Sequence, residues 1–489
     1  MSELALPDGH HYALTRDIAD HYAGMTVSLL HRSRAFVELT GAEVTVVTFK
    51  HRDDWDPIRY RLRVRGAMVE GMHLVNLWED LRGWDDGTLK QAAPTFDPGA
   101  ESTFDPLDER GDHASPLRSM LHDKDNRLLQ VDYFRVDGTL LASDRRNVPG
   151  DNPRAITLCD RSGSPLGTWR RARHLHWVWL DSLPRDPIAW FICDSKTIAN
   201  HLIGYHRDDA VTIHVVHGSH LQMGRRRFMG MLKPSRRRSS RPMGTLKPSR
   251  RRIMEHLDEW DGVVFLTRQQ LDEVDVLFRP GTNRQVIPHG QRVPKELPNI
   301  ERPSSHGVML TRLTPRKQIN HAIKAMSRLR RAGFRQVTLD VWGEGPERKK
   351  LLLAVRLRSA AVRLRGYSAS APAEFDKASF SLLTSDNEAF ALVIGESMSR
   401  GCIPISYDML YGPGEIITHG VDGFLVAPGD IPGLAAQIRE IASCTPAELA
   451  PIRRAAHRRA IEYSDEHVTE RWVSFMAQLI SAKPGTVSP

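Results

Sequence analysis

Short apolar runs alternate along this chain with longer segments whose apolar residues recur at helical spacing, and the alternation occurs in two stretches. In the first, runs at 11–14 and 44–49 bracket a helix predicted over 26–39, with Val27, Leu29, Leu30, Phe36 and Val37 on its apolar side. The rhythm resumes with a run at 189–194, a helix over 196–204, a run at 211–216, a run at 262–267, a helix over 269–278 and a run at 285–288. The second stretch opens at 307–312 and continues through 337–342, 362–367 and 381–384, a helix over 392–400 stopped by Gly401, and runs at 403–408 and 423–426. Strands alternating with helices predict two α/β units, each with a parallel Rossmann-like sheet.

Between 58 and 180 this rhythm disappears. Segments 128–136 and 139–143 flank Asp137-Gly138, and 155–158 and 166–169 flank a turn at Ser162-Gly163. Both are hairpin signals, so the segment reads as an antiparallel β-meander inserted into the first unit. The expected organisation is an N-terminal Rossmann-like domain over 1–57 and 181–300, a β-rich insertion over 58–180, a C-terminal domain over 301–470 and a helical tail over 471–489. Residues 291–305, rich in proline and charge, are the predicted linker, and the helix over 468–480 is expected to cross back onto the first domain.

A chain of 489 residues exceeds a single core. No apolar run approaches the roughly 20 residues that span a bilayer, and the N-terminus lacks a signal pattern, so the expected location is cytoplasmic. Cys159, Cys193, Cys402 and Cys444 are scattered without a Cys-x-x-Cys pair, which argues against a disulfide framework or structural zinc.

The net charge of +9 includes twelve Lys and Arg, and no acid, between Arg225 and Arg252, leaving −3 elsewhere. On that count the basic character belongs to one segment. The segment is a tandem repeat, Met229-Gly230-Met231-Leu232-Lys233-Pro234-Ser235-Arg236-Arg237-Arg238 echoed by Met243-Gly244-Thr245-Leu246-Lys247-Pro248-Ser249-Arg250-Arg251-Arg252. With little apolar content it reads as a flexible basic loop that attracts a phosphodiester polymer or anionic lipid. No recognition motif supports nucleic-acid binding, so none is expected.

Candidate chemistry centres on Glu388-Ala389-Phe390-Ala391-Leu392-Val393-Ile394-Gly395-Glu396. Here a buried strand turns into a helix, and such a turn presents backbone N–H groups and a positive dipole end that suit a phosphate. The glutamate spacing resembles the Glu-x7-Glu motif of retaining GT-B glycosyltransferases of the GT4 type. The run Asp408-Met409-Leu410-Tyr411-Gly412-Pro413 is similar to the subgroup that α-glycosylates the poly(polyol-phosphate) of bacterial wall teichoic acid.

The resemblance implies a GT-B fold and a hexosyltransferase that moves glucose or N-acetylglucosamine from a UDP-sugar to the polymer's hydroxyls, with retention. In it Arg312 and Lys317 match an Arg-x4-Lys pair that faces the leaving diphosphate in place of a metal. Glu388 and His217 would contact the donor sugar, and Glu396 the ribose. Gly24, Gly343 and the backbone of Phe390, Ala391 and Leu392 would border the nucleotide. Relatives carry glycine where this chain has Ala389 and Ala391.

His220, Arg236, Arg237, Arg250 and Arg251 are the acceptor candidates. The implied co-substrate is a UDP-sugar, with no cofactor and no metal, and Asp54-Trp55-Asp56 reads as an exposed loop rather than a metal motif. Implied partners are the nucleotide-sugar, an anionic polyol-phosphate polymer, the inner membrane face as a peripheral surface, and further copies of the chain through the insertion. The rival reading is a protein O-glycosyltransferase for Ser/Thr-rich surface proteins, working with a partner subunit.

Overall fold

A computed structural model describes residues 4–20, 22, 24–93, 115, 117–146, 154–223, 244–297 and 302–483. The chain divides into two compact units, one comprising Ala5–His214, Glu259–Asp261 and Ile480–Pro489, the other Met1–Leu4, Val215–Asp258 and Gly262–Leu479.

The N-terminal unit holds strands β1 (His10–Thr15), β2 (Val44–Thr48), β3 (Met72–Asn76), β4 (Arg118–His122), β5 (Leu128–Phe134), β6 (Leu140–Arg145), β7 (Ala155–Cys159), β8 (Pro165–Trp169), β9 (Ala189–Cys193) and most of β10 (Ala210–Val216). A parallel sheet runs in the order β10-β9-β1-β2-β3. Every residue of β9 and β10 is buried, as expected of parallel strands covered on both faces. Helix Met25–Thr40 joins β1 to β2 and ends on Gly41 at φ 70°, whose N–H donates to the Val37 carbonyl. Arg32, on that helix, clasps Asp194 at the end of β9 with bonds of 3.0 and 2.7 Å.

The α/β rhythm extends further than the sequence pattern indicates. β3 pairs in parallel with β2, so the sheet continues to Asn76, past the expected boundary at 58. Helix Trp55–Val64 precedes β3; its buried stripe is only Trp55, Ile58 and Leu62, and Arg59, Arg61 and Arg63 around Leu62 hide the period. Asp54 stands at the N-terminus of this helix and its carboxylate grips Arg52 at 2.7 and 2.8 Å instead of a helix N–H, while Asp56 pairs with Arg59, so the Asp-x-Asp run opens a helix rather than forming a loop. The antiparallel meander spans β4 to β8 in sequential order, turning at Gly138 (φ 85°) and Gly163 (φ 88°), where glycine tolerates the left-handed backbone.

The C-terminal unit holds the antiparallel pair β11 (Leu221–Met223) and β12 (Gly244–Leu246), and the parallel pair β13 (Gly262–Phe265) and β14 (Arg284–Val286). Its larger parallel sheet comprises β15 (His306–Leu310), β16 (Thr338–Trp342), β17 (Val362–Gly366), β18 (Phe380–Leu383), β19 (Ile403–Tyr407) and β20 (Phe424–Val426), in the order β17-β16-β15-β18-β19-β20.

Val215–Asp258 and Gly262–Leu479 group with the large sheet in one compact unit. Specific bonds account for this. Glu415 accepts from the N–H groups of Arg268 and Gln269, both at 2.8 Å, at the start of helix Arg268–Phe278, and the Tyr411 hydroxyl donates to Glu273 on that helix at 2.5 Å. Helix Asp465–Ser481 packs on β13 within this unit: a side-chain carbon on Gly262 would lie 2.7 Å from Leu479. Among the described residues no helix is long and apolar enough to cross a membrane.

Candidate functional site

The Glu388 loop is built by two chain segments bonded together at the C-terminal ends of β15 and β18. The Thr384 hydroxyl donates to the Lys317 carbonyl at 2.9 Å, and the Asp386 N–H donates to the Arg316 carbonyl at 2.9 Å. On the other side the Glu388 N–H and carbonyl exchange bonds of 3.1 and 3.0 Å with Leu410 and Tyr411. Glu388 is thus fixed by its own backbone before its side chain makes any contact.

That side chain meets two donors. Lys317 Nζ lies 2.5 Å from Glu388 Oε1, and Ser385 Oγ donates to the same oxygen at 2.6 Å. The Lys317 and Glu388 side chains are 17% and 13% exposed, so the pair sits in a half-shielded recess rather than in bulk solvent. An ammonium carries three protons and this bond uses one of them, which leaves capacity for a further anion. Arg312 follows β15 on the same loop, is exposed, and makes no ion pair among the described residues. Nearby, burial pushes the Asp386 carboxyl up from the ordinary carboxylate range.

Helix Leu392–Ser399 begins at Ala391, which stands in the left-handed region at φ 64° and ψ 55°. Phe390 and Ala391 are buried, and Glu396 sits half-buried one turn into the helix. Gly343 ends β16 at φ 135°, and a side-chain carbon there would fall 1.9 Å from the Thr311 carbonyl oxygen, so only glycine fits between the two loops.

His217, at the end of β10, is half-buried and stacks on His289 with centroids 5.2 Å apart. His289 in turn meets the Phe390 ring edge-on at 5.7 Å. The structure so brings His217 within one aromatic ring of the Glu388 loop. Sequence reasoning missed His289, although it lies only three residues past the end of β14, and missed Ser385, whose signal is only a hydroxyl three residues before the glutamate.

The acceptor candidates separate. His220 is fully buried, its ring parallel to that of Tyr411 at 6.1 Å; burial, reinforced by Arg250 and Lys247, holds its pKa down at about 4. Arg250 points inward and donates to the His217 carbonyl, and burial lowers its pKa to about 10. Lys247 Nζ donates to the Ser219 carbonyl at 3.0 Å, and the Lys247 N–H to the His220 carbonyl at 2.9 Å. The second copy of the repeat is therefore not a loose loop: it forms β12 and helix Pro248–Glu255 and braces residues 217–220. Arg251 is exposed on that helix. Arg236 and Arg237, in the first copy, lie outside the described residues.

Gly24 belongs to the N-terminal unit, where it precedes helix Met25–Thr40 at φ 55° and its carbonyl accepts from the Ser28 N–H at 2.9 Å.

Residues 304–459 match the family model described as Glycosyl transferases group 1. Among curated relatives, the chain is 32% identical over 210 residues to an exopolysaccharide phosphotransferase of Streptomyces coelicolor, which covers 41% of this chain and 22% of that protein. It is 26% identical over 236 residues to the poly(glycerol-phosphate) alpha-glucosyltransferase of Bacillus subtilis, covering 47% and 35%. The chain thus spans well under half the length of these relatives. Among solved structures, a mutant of S. aureus TarM in complex with fondaparinux, alpha-GlcNAc-glycerol and UDP superimposes with a TM-score of 0.67 at 18% identity, over 96% of this chain and 100% of that one. The fold is GT-B-like α/β.

Proposed function

We propose that this chain, whose residues 304–459 form a Glycosyl transferases group 1 domain, is a retaining glycosyltransferase that moves glucose or N-acetylglucosamine from a UDP-sugar to hydroxyls of a poly(polyol-phosphate). The observation that carries the reading is the Glu388 carboxylate held between Lys317 and Ser385 at the mouth of helix Leu392–Ser399. A carboxylate so fixed can accept from sugar hydroxyls, and the cation beside it can meet a diphosphate.

In this reading Arg312 and Lys317 offset the charge that grows on the departing diphosphate, and Glu388 and His217 orient the sugar. Glu396 holds the ribose, while Gly343 and the backbone of Phe390, Ala391 and Leu392 border the nucleotide. Gly24 supplies a backbone turn toward donor or acceptor. The acceptor attacks on the face the diphosphate leaves, and a diphosphate oxygen takes its proton, so neither a metal nor a separate protein base is required. The names of the B. subtilis relative and of the TarM complex support a polyol-phosphate acceptor and a UDP-sugar donor.

The test is UDP release from a panel of UDP-sugars with and without poly(glycerol phosphate), comparing the native chain with Glu388→Gln and Lys317→Met. Polymer-dependent release that falls roughly 10²- to 10³-fold in Lys317→Met supports the proposal. Release that depends on a Ser-rich peptide instead would move the acceptor to protein. Donor binding without release on either acceptor would refute the transferase reading of this chain by itself.

A further inference from the structure

The twelve cations of 225–252 are not the whole basic character of the chain. Between Arg316 and Arg365 there are fourteen Lys and Arg against three acids, Asp340, Glu344 and Glu347. Those acids are already engaged: Asp340 with Arg363 and Arg365, Glu344 with Arg348, and Glu347 with Lys350. Lys349, Arg356 and Arg358 make no ion pair among the described residues.

These three cations lie on helix Arg348–Arg358, which fixes itself to the unit through one fully buried side chain, Leu351. Its other leucines face outward: Leu352 is 39% exposed, Leu353 56% and Leu357 77%. Leu353 and Leu357 are one turn apart, as are Leu352 and Arg356, so leucine and cation share one outer face. The Arg358 carbonyl accepts from Ser327 at 2.9 Å, joining this helix to helix Ile319–Arg331. That second helix presents Arg328 and Arg331 to a recess of about 450 Å³ completed by Arg439, Leu329, Ala332 and Pro432. None of the three arginines is ion-paired among the described residues.

Exposed leucine interleaved with uncompensated Lys and Arg matches a surface that is anionic outside and apolar just beneath, the headgroup–acyl boundary of an anionic bilayer. We infer that helix Arg348–Arg358 docks the chain on anionic lipid, inserting Leu353 and Leu357 while Lys349, Arg356 and Arg358 meet lipid phosphates and the Arg328–Arg331–Arg439 recess receives a headgroup. This goes beyond the proposed transfer reaction and does not depend on it.

The experiment is co-sedimentation of the full chain with vesicles of phosphatidylcholine alone or containing phosphatidylglycerol, with thermal melts confirming that each variant is folded. The native chain should bind only the anionic vesicles, and less at high salt. Lys349→Gln/Arg356→Gln/Arg358→Gln should lower partitioning on the order of 100-fold, at about 1 kcal/mol per cation, and Leu353→Ser/Leu357→Ser roughly tenfold or more. A fluorophore on Leu357→Cys should shift to the blue on anionic vesicles and not on soluble poly(glycerol phosphate). Binding that survives both sets of substitutions, or an equal fluorophore response to the soluble polymer, would overturn the inference, the second result assigning the face to the polymer.

Discussion

Ala391 offers a perturbation whose two directions can be worked from one backbone angle. An alanine at φ 64° and ψ 55° places its side-chain carbon against the following carbonyl, at a cost of about 1–2 kcal/mol. Glycine removes that cost and gives back about 0.5–1 kcal/mol in the conformational entropy of the unfolded chain. Ala391→Gly should therefore stabilise the start of helix Leu392–Ser399 by about 0.5–1 kcal/mol. Ala391→Val should destabilise it by more than alanine already does, because a branched side chain is worse still in this region and the site is only 7% exposed. Native-state hydrogen exchange reads this locally: amides of the helix should exchange about two- to fivefold more slowly in Ala391→Gly and faster in Ala391→Val. Faster exchange in Ala391→Gly would refute the reasoning, since it would mean that contacts of the methyl group outweigh the backbone strain.

Further expectations follow from the same geometry. Gly343→Ala should cost roughly 3 kcal/mol or more, because the added carbon meets the Thr311 carbonyl and the backbone angle is foreign to alanine; a urea titration checks it. Arg250→Gln should raise the UDP-sugar KM about tenfold by releasing the His217 carbonyl, with partial rescue by Arg250→Lys, which a lost fold would not show. Burial holds His220 and His11 at about 4 in the folded chain, below the ordinary histidine value, so the unfolded chain binds more protons between those values. The stability tied to these neutral rings is complete above about pH 6.5 and is lost as pH falls toward 4. Denaturation measured from about pH 7 to about pH 4 should show a shallower decline in His220→Phe, by up to about 1.4 kcal/mol per pH unit.

What can be read from the sequence and what cannot divide along a physical line. Strands buried on both faces, such as β9 and β10, announce themselves as unbroken apolar runs, and the meander's glycine turns mark its hairpins. Helix Trp55–Val64 does not, because three arginines interleaved with it obscure a three-residue apolar stripe, and the sequence pattern closes the first α/β segment too soon. The partners of Glu388 divide in the same way. Lys317 is found by spacing along one loop, whereas Ser385 and His289 matter through contacts that no local pattern encodes. The second copy of the repeat misleads for a different reason. Its composition is that of a solvated loop, yet Lys247 and Arg250 spend their charge on backbone carbonyls beneath His217, a use that composition cannot distinguish from exposure.

The Tyr411-Gly412-Pro413-Gly414-Glu415 run shows how a motif can carry a structural task alongside its resemblance. Tyr411 is fully buried, donates to Glu273 and lies parallel to His220, and burial pushes up both its hydroxyl and the Glu273 carboxyl. Gly412 passes so close to Phe390 that a side-chain carbon would lie 2.4 Å from its carbonyl oxygen. Glu415 closes the N-terminus of helix Arg268–Phe278 with two backbone bonds, where a carboxylate also complements the helix dipole. These residues tie helix Arg268–Phe278, the His217–His220 segment and the Glu388 loop into one bonded assembly. The position of His217 relative to Glu388 is accordingly set by Tyr411 and Glu415 as much as by the strands that end beside them. A substitution in this run would then disturb donor orientation without touching the donor, which separates it from the loss of charge expected at Lys317.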